Sequence, residues 1–332
     1  MSHVSQPLLL SLTLSLALGA VAQQPAGWRD PGATVTALVT APPPPSVSLS
    51  PQGGKLVLQT REALPDLDVV ARPHLKLAGM RIDGATWGRQ LSTRTTSITI
   101  QELPSGAPRE VPLELDHWSG PIWSADERAF ALVREREGGA ELYLCDPWDA
   151  APKKVEGVRL NQVLGAAVRW LPDQRRLLVK TVVAGERPAR PSVPPGPIVQ
   201  QTVQNQNAQV RTYQDLLQDS HDEDLLEYYG RSQLAIVDGA KVRELGAPRM
   251  YSGVSPSPDG AYLLTTVVER PFSFVVPMSR FPRSTAVLDM SGEVRREVCR
   301  DRLNDAIPIG GVKRGPRSVG WVATAQHALY WF

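Results

Sequence analysis

The sequence predicts an all-β chain, and within that class an incomplete β-propeller of about five to six four-stranded blades with a loop and short-helix insertion. Two observations carry this. A tight turn recurs along the chain, and each copy runs into a short hydrophobic strand. Between the copies lies a second kind of strand, which closes on Asp or a Gly-containing turn before another strand begins. Strand, turn, strand and turn marker is the grammar of a propeller blade.

The clearest marker is Ser257-Pro258-Asp259-Gly260, leading into Ala261-Tyr262-Leu263-Leu264-Thr265. Weaker copies are Ser50-Pro51-Gln52-Gly53 before Lys55-Leu56-Val57-Leu58, and Trp123-Ser124-Ala125-Asp126 before Phe130-Ala131-Leu132-Val133. Trp170-Leu171-Pro172-Asp173 precedes Leu177-Leu178-Val179, and Trp321-Val322-Ala323-Thr324 precedes Ala328-Leu329-Tyr330-Trp331. Pro presets φ, Asp bonds its own backbone, and Gly supplies positive φ. The second strand type is Ser97–Glu102, Glu141–Asp146, Gln233–Asp238 and Thr285–Asp289.

Residues 1–22 read as a signal peptide. Leu8 to Leu18 is an apolar run too short for an ordinary membrane span, and Ala20-Val21-Ala22 supplies a small-x-small cleavage site before Gln23. The n-region carries no Lys or Arg, so an uncleaved anchor is the alternative. No later stretch is long and apolar enough to span a bilayer. The mature chain is expected to be periplasmic or secreted, with no membrane partner. Residues 23–45 form a Pro-rich lead-in segment ending in Pro42-Pro43-Pro44-Pro45, which is extended and barred from a sheet interior.

The propeller portion is expected over residues 46–332. Its markers are mostly further apart than the about 40–45 residues of a plain blade, so insertions must take up the excess. The longest is placed at 184–232. It opens with Pro188, Pro191, Pro194, Pro195 and Pro197 and continues through a Gln/Asn-rich run. Two short helices are predicted after it, Thr212–Leu217 and Asp222–Tyr229. Ser220 is the candidate N-cap and Glu223 completes its capping box.

The 332 residues carry a formal net charge of +2 and are 42% hydrophobic. No basic stretch dominates, so no nucleic-acid partner is expected. Cys145 and Cys299 are the two cysteines. An exported chain could pair them, and two buried free thiols are an equal reading. Two cysteines exclude a disulfide scaffold and a Cys-rich zinc site.

Four blocks resemble the glutamyl endopeptidases of the prolyl-oligopeptidase family of serine peptidases. They are Arg72 to Gly84, then Gln209 to Leu217 with Asp222 to Tyr229, then Arg270 to Pro277 with Arg280-Phe281-Pro282, then Ile307-Pro308-Ile309 with Gly315 to Ser318. The order and spacing run from about residue 28 to the last residue. Gly310 to Arg314 is about two residues short of the family pattern. The resemblance implies an N-terminal propeller of about seven blades that filters peptides, and a C-terminal α/β-hydrolase domain that cuts after glutamate and less readily aspartate. The catalytic Ser, Asp and His belong to that second domain.

Those residues are not in this sequence. An α/β-hydrolase nucleophile sits in G-x-S-x-G. The nearest string, Gly253-Val254-Ser255-Pro256-Ser257, fails at its last position and is read as an ordinary turn. His3, His74, His117, His221 and His327 are each read as surface or loop residues. His221-Asp222-Glu223-Asp224 suggests helix-dipole partners before it suggests a metal site. There is no Gly-rich phosphate loop and no H-E-x-x-H. No catalytic, cofactor-binding or metal residue is assigned, and no cofactor is expected.

Arg72, Arg81, Arg211, Arg270 and Arg280 lie in or beside the family blocks and could attract acidic peptides. Pairing with local carboxylates is the simpler reading of each. The C-terminal run Ala328–Phe332 reads as the middle of a buried strand, so the chain is expected to be the front portion of a longer peptidase whose hydrolase domain is absent. The alternative is a stand-alone periplasmic propeller that binds partners without catalysis. A hydrolase with an unrecognised active site is the remaining reading. Oligomeric state is left open.

Overall fold

The computed structural model describes residues 27, 30–90, 93–148, 151–193, 196, 212–305 and 311–332. Residues 1–22, read above as a signal peptide, and part of the long insertion lie outside them. The chain divides into two compact units, Met1–Ala41 and Pro42–Phe332. In the first, helix α1 (Ala33–Val39) starts after Gly32, whose N–H is held by Asp30 Oδ1 at 2.9 Å, and buries no residue. It lies inside the lead-in segment, where no helix was expected.

The second unit is built from antiparallel sheets. Strands β1 (Ser46–Leu49) and β2 (Lys55–Arg61) open the first. Helix α2 (Leu67–Ala71) and a separate three-stranded sheet interrupt it: β3 (Leu75–Leu77), β4 (Met80–Asp83) and β5 (Gly88–Arg89). Strands β6 (Thr95–Glu102) and β7 (Arg109–Glu110) complete the sheet in the order β1-β2-β6-β7. The second blade is β8 (Trp118–Trp123), β9 (Phe130–Arg134), β10 (Glu141–Cys145) and β11 (Lys153–Lys154). The third is β12 (Val168–Trp170), β13 (Leu177–Val182), β14 (Ser232–Asp238) and β15 (Lys241–Arg249), with α3 (Ser220–Gly230) between its middle strands. The fourth is β16 (Tyr251–Pro256), β17 (Tyr262–Val268), β18 (Arg283–Asp289) and β19 (Val294–Asp301). A two-stranded sheet follows, β20 (Gly320–Trp321) with β21 (Leu329–Tyr330).

The described residues thus form four full blades, the three-stranded sheet and a two-stranded sheet; sheet neighbours are also successive strands along the chain except β2 and β6, between which β3–β5 intervene. The excess length lies in the connections, above all 183–231 and the link 62–94 that holds the sheet at 75–89. The run Ala328–Phe332 is not a buried strand. It pairs with β20 and, through Phe332, with Arg317, and Trp331 and Phe332 are exposed.

The middle strands are hydrophobic without alternation because both faces are buried. On β9, Phe130 and Leu132 enter one core with Val57, Ile98 and Trp118, while Ala131 and Val133 enter another with Leu142, Leu177 and Val179. On β13 and β14, Leu177, Val179, Ala235 and Val237 face the second blade, and Leu178, Leu234 and Ile236 face Tyr251, Leu263 and Leu288 of the fourth. The apolar material sits in seams between blades.

The repeated turn joins the first two strands of each blade. Its first residue accepts the backbone N–H of its fourth: Gly53 to Ser50, Glu127 to Ser124, Gln174 to Leu171 and Gly260 to Ser257. In these four copies that fourth residue has positive φ, at 76°, 56°, 57° and 70°. In three copies a Ser Oγ also accepts the N–H five residues on: Lys55 at 2.9 Å, Ala129 at 3.1 Å and Tyr262 at 3.0 Å. The Trp before the turn reaches the preceding blade. Trp170 Nε1 donates to the Ile122 carbonyl at 2.8 Å, and Trp321 Nε1 to that of Ser255 at 3.1 Å.

Cys145 and Cys299 are free thiols. Cys145 is buried on β10, and burial pushes its thiol up to about 12. Among the described residues no helix is long and apolar enough to cross a membrane.

Candidate functional site

In an antiparallel sheet with hairpin connections, successive loops leave from opposite ends. The repeated turns mark one end of the blades. The links between second and third strands leave from the other, and in three blades they are long: 62–94, 183–231 and 269–282. The family-like blocks that begin at Arg72, Gln209 and Arg270 lie largely in these links. They meet in one hydrophobic cluster containing Leu77, Met80, Ile82, Trp87, Leu225, Leu226, Tyr229, Phe272 and Phe281.

The hairpin β3–β4 sits at its centre. Leu77 pairs with Met80 across a two-residue turn in which Ala78 (φ 51°) and Gly79 (φ 80°) are both left-handed. That is the primed turn a tight hairpin needs, where Asn-Gly is usual. Ala78 is only 1% exposed, so a polar residue there would be stranded. Its carbonyl accepts the Met278 N–H at 2.9 Å, and Gly79 N–H donates to the Asp215 carbonyl at 2.8 Å. A Cβ at Gly79 would stand 2.8 Å from Pro277 Cβ. Arg81 Nε adds a bond to Asp215 Oδ2 at 2.9 Å.

Among the described residues of the insertion there is one helix, not two. Residues 212–217 are irregular, because Asp215 holds a left-handed conformation (φ 56°) while its carbonyl receives Gly79. The N-cap of α3 is Asp219, one residue before the predicted Ser220. Its extended backbone lets its carboxylate accept the Asp222 N–H at 2.9 Å. Leu225, Leu226 and Tyr229 form the buried face. The opposite side offers Glu223, Asp224 and Glu227, all within 3.2 Å of the Arg270 guanidinium, which lies over the Phe272 ring.

A cavity of about 350 Å³ opens beside this cluster, lined among others by Arg72, His74, Asp83, Gly84, Arg187 and Tyr229. Gly84 makes room for the phenol: a Cβ there would lie 2.7 Å from Tyr229 Oη. Behind is a water-sized space of about 10 Å³, sharing Arg72, His74 and Asp83 and closed by Gln90, His117 and Glu135. His74 Nδ1 and His117 Nε2 are buried in this region with no hydrogen-bond partner. Burial, then the Arg72 charge, holds the His117 imidazole below the usual range and so neutral at pH 7. Burial also pushes the Glu135 carboxyl up to about 7, although Thr86 Oγ1 donates to it at 3.1 Å.

The structure sorts the candidate arginines. Arg81 is tied to Asp215 and Arg270 to three acids of α3. Arg280 donates to the Asn304 carbonyl at 3.2 Å and lies over Tyr213. Arg72 comes only within 3.9 Å of exposed Asp68 and lines both cavities. Arg211 lies outside the described residues, as does His3.

Two histidine readings change. His117 is not a surface residue: it is 5% exposed, packed beside β8. His74 is half-buried and shares its pocket. His327 is exposed against Asp259 at 2.8 Å, and His221 lies in the first turn of α3. Ser255 stands in strand β16 rather than on the turn, and the turn serine is Ser257. Asp222 and Glu223 occupy the first turn of α3, and among the described residues no group of three His, Cys, Asp or Glu is arranged to hold a metal. Sequence reasoning missed Arg187, Tyr229 and Glu135 as pocket residues. Glu135 sits in the charged run Arg134-Glu135-Arg136-Glu137, which gives no sign that one member is buried.

No family model matches the chain. It is 36% identical over 327 residues to a protein of Oryza sativa subsp. japonica described as "Probable glutamyl endopeptidase, chloroplastic", an alignment covering 92% of this chain and 34% of that protein. The protein of that description from Arabidopsis thaliana is 36% identical over 329 residues, covering 92% and 33%. The chain therefore spans about a third of the length of the curated relatives it matches. Among solved structures, Pyrococcus horikoshii acylaminoacyl peptidase is 14% identical with a TM-score of 0.44, covering 79% of this chain and 33% of that one. The β-propeller domain of the Trilobed protease from Pyrococcus furiosus is 14% identical with a TM-score of 0.41, covering 77% and 58%.

Proposed function

We propose that this chain, similar over nearly its whole length to about a third of the glutamyl endopeptidases, supplies the β-propeller part of an exported serine peptidase. In this reading its insertion end receives peptide substrate and guides it. The observation that carries the reading is convergence. The blocks that resemble those peptidases come from three separate blades and build one platform, with a pocket at its margin between the first and third blades' links.

Peptide-bond cleavage is assigned to an α/β-hydrolase domain outside these residues, since the 332 residues contain no G-x-S-x-G string. Export is assigned to residues 1–22 on the apolar run and the Ala20-Val21-Ala22 site.

The test offers the full chain a panel of labelled peptides and follows binding by anisotropy and cleavage by mass spectrometry. Binding of peptides without cleavage is the expected outcome. Cleavage by the chain would overturn the assignment of chemistry to another domain. Failure to bind any peptide would overturn the substrate-guiding role and leave a platform for a folded partner.

A further inference from the structure

We propose that the inner space of about 10 Å³ is a binding site for one water molecule, which joins His117 and Glu135 of the second blade to His74 in the first blade's link. The inference is independent of what the outer cavity receives.

The first argument is the polar atoms that converge there. Arg72, His74, Asp83 and Gln90 wall the space from the link 62–94, and His117 and Glu135 from the flanks of β8 and β9. Those flanks are held together, since the Glu135 N–H donates to the His117 carbonyl at 3.0 Å. The His117 side chain is only 3% exposed, and its Nε2 has no hydrogen-bond partner. His74 Nδ1 is buried and unpartnered in the same way. A buried polar atom left unpaired is costly, so two in one small space call for a shared partner.

The second argument is that donors and acceptors match. Asp116 Oδ1 lies 3.8 Å from His117 Nδ1, and this anion places the ring proton on Nδ1. Burial keeps the ring neutral, so Nε2 is an acceptor. Thr86 Oγ1 takes Glu135 Oε1 at 3.1 Å, which leaves Oε2 for the space. The Glu135 carboxyl is pushed up to about 7, and below that pH it is protonated and donates. The charges facing these groups are Arg72 and Asp83 in the wall, Asp116 beside His117, and the Glu62–Arg94 pair. A water that accepts from Glu135 and donates to both imidazoles makes about three bonds, the usual number for an interior water.

The third argument excludes other small ligands. The space has room for about one water and no larger molecule. Arg72 in the wall repels a cation, and Asp83 repels an anion. Arg72, His74 and Asp83 also line the 350 Å³ cavity, so the water braces the wall between the two spaces.

The test counts long-lived interior waters of the full chain by water-oxygen magnetic relaxation dispersion. A Cβ at Gly88 would stand 2.8 Å from Glu135 Oε1, so Gly88→Ala drives the carboxyl into the space. His117→Leu removes the acceptor. Each variant is expected to lose one long-lived water relative to wild-type, while Arg175→Gln at the turn end keeps the wild-type count. Cooperative melting confirms folding, and either variant decides alone if the other does not fold. A count unchanged in the folded variants overturns the site. Nitrogen NMR of the histidines is expected to show His117 Nε2 without a proton. A proton there, as in a direct bond to an ionised Glu135, overturns it as well. Chloride line broadening that disappears in His117→Leu would assign the space to a halide and overturn the water.

Discussion

The two ends of the blades are held together by different means. At the turn end the loops are short, alike and polar. Each is locked internally by a Ser hydroxyl or an Asp carboxylate, and each touches the next. Gln52 donates to the Ala125 carbonyl and to Glu127, Ala125 N–H donates to Gln174, and Asp259 N–H to the Gln326 carbonyl. At the insertion end the links are long and unlike one another, and they join by burying Leu, Phe, Trp and Tyr side chains in a shared cluster. A repeated contact ties only adjacent blades. A pooled hydrophobic cluster ties the first, third and fourth at once and leaves a cavity at its margin.

The largest expected effect would break the turn end. Lys55 Nζ and Glu127 Oε2 form a buried pair at 3.2 Å between the first two blades, with Lys55 also near the rings of Trp123 and Trp148. Glu127→Ala would strand a buried ammonium and should cost about 3–5 kcal/mol. Denaturant unfolding would read it, and a loss below about 1 kcal/mol would show that the relay is ornamental.

Next in size is a charge effect at the insertion end. The Glu135 carboxyl sits at about 7 in the fold against an ordinary value of 4.5. The folded state therefore holds a proton that the unfolded chain gives up. Stability present below about 4.5 is lost as pH rises towards 7, by up to about 3 kcal/mol. Melting curves across that window should show wild-type falling relative to Glu135→Gln. Parallel pH profiles would mean that this carboxyl is solvated.

The smallest effect is local. Gly79→Ala forces a side chain into a left-handed turn and against Pro277, at about 1–3 kcal/mol. Amide exchange should quicken in 75–89, 220–230 and 272–281 while β13 and β14 stay protected. Uniform loosening of all blades would show that the platform is not a separate unit of stability.

The same contrast explains what the sequence disclosed. The turn end is written locally: Ser257-Pro258-Asp259-Gly260 contains its own φ restriction, carboxylate and left-handed glycine. Even the copies with Glu127 or Gln174 in the left-handed place were legible from the strand that follows. The strands at 97–102, 141–146, 233–238 and 285–289 fall within one or two residues of β6, β10, β14 and β18. The insertion end depends on residues far apart in sequence. Nothing near Thr212–Leu217 announces that the Asp215 carbonyl is spoken for by Gly79, so a helix was predicted where a left-handed kink stands. Asp219 and Ser220 are both good caps, and only the backbone angles choose between them. The pocket drew on His117, Glu135 and Arg187 from separate stretches, and no local pattern links them.

The division of β13 between two seams has a consequence for how the molecule comes apart. Leu177 and Leu178 are bonded neighbours, yet one answers to Val168 and Val237 and the other to Leu234 and Tyr251. No blade owns a private core, so no blade is a natural unit of loss or exchange. The quasi-independent parts are the joints: an array of nearest-neighbour couplings, in which damage at one residue spreads to a different blade than damage at the next.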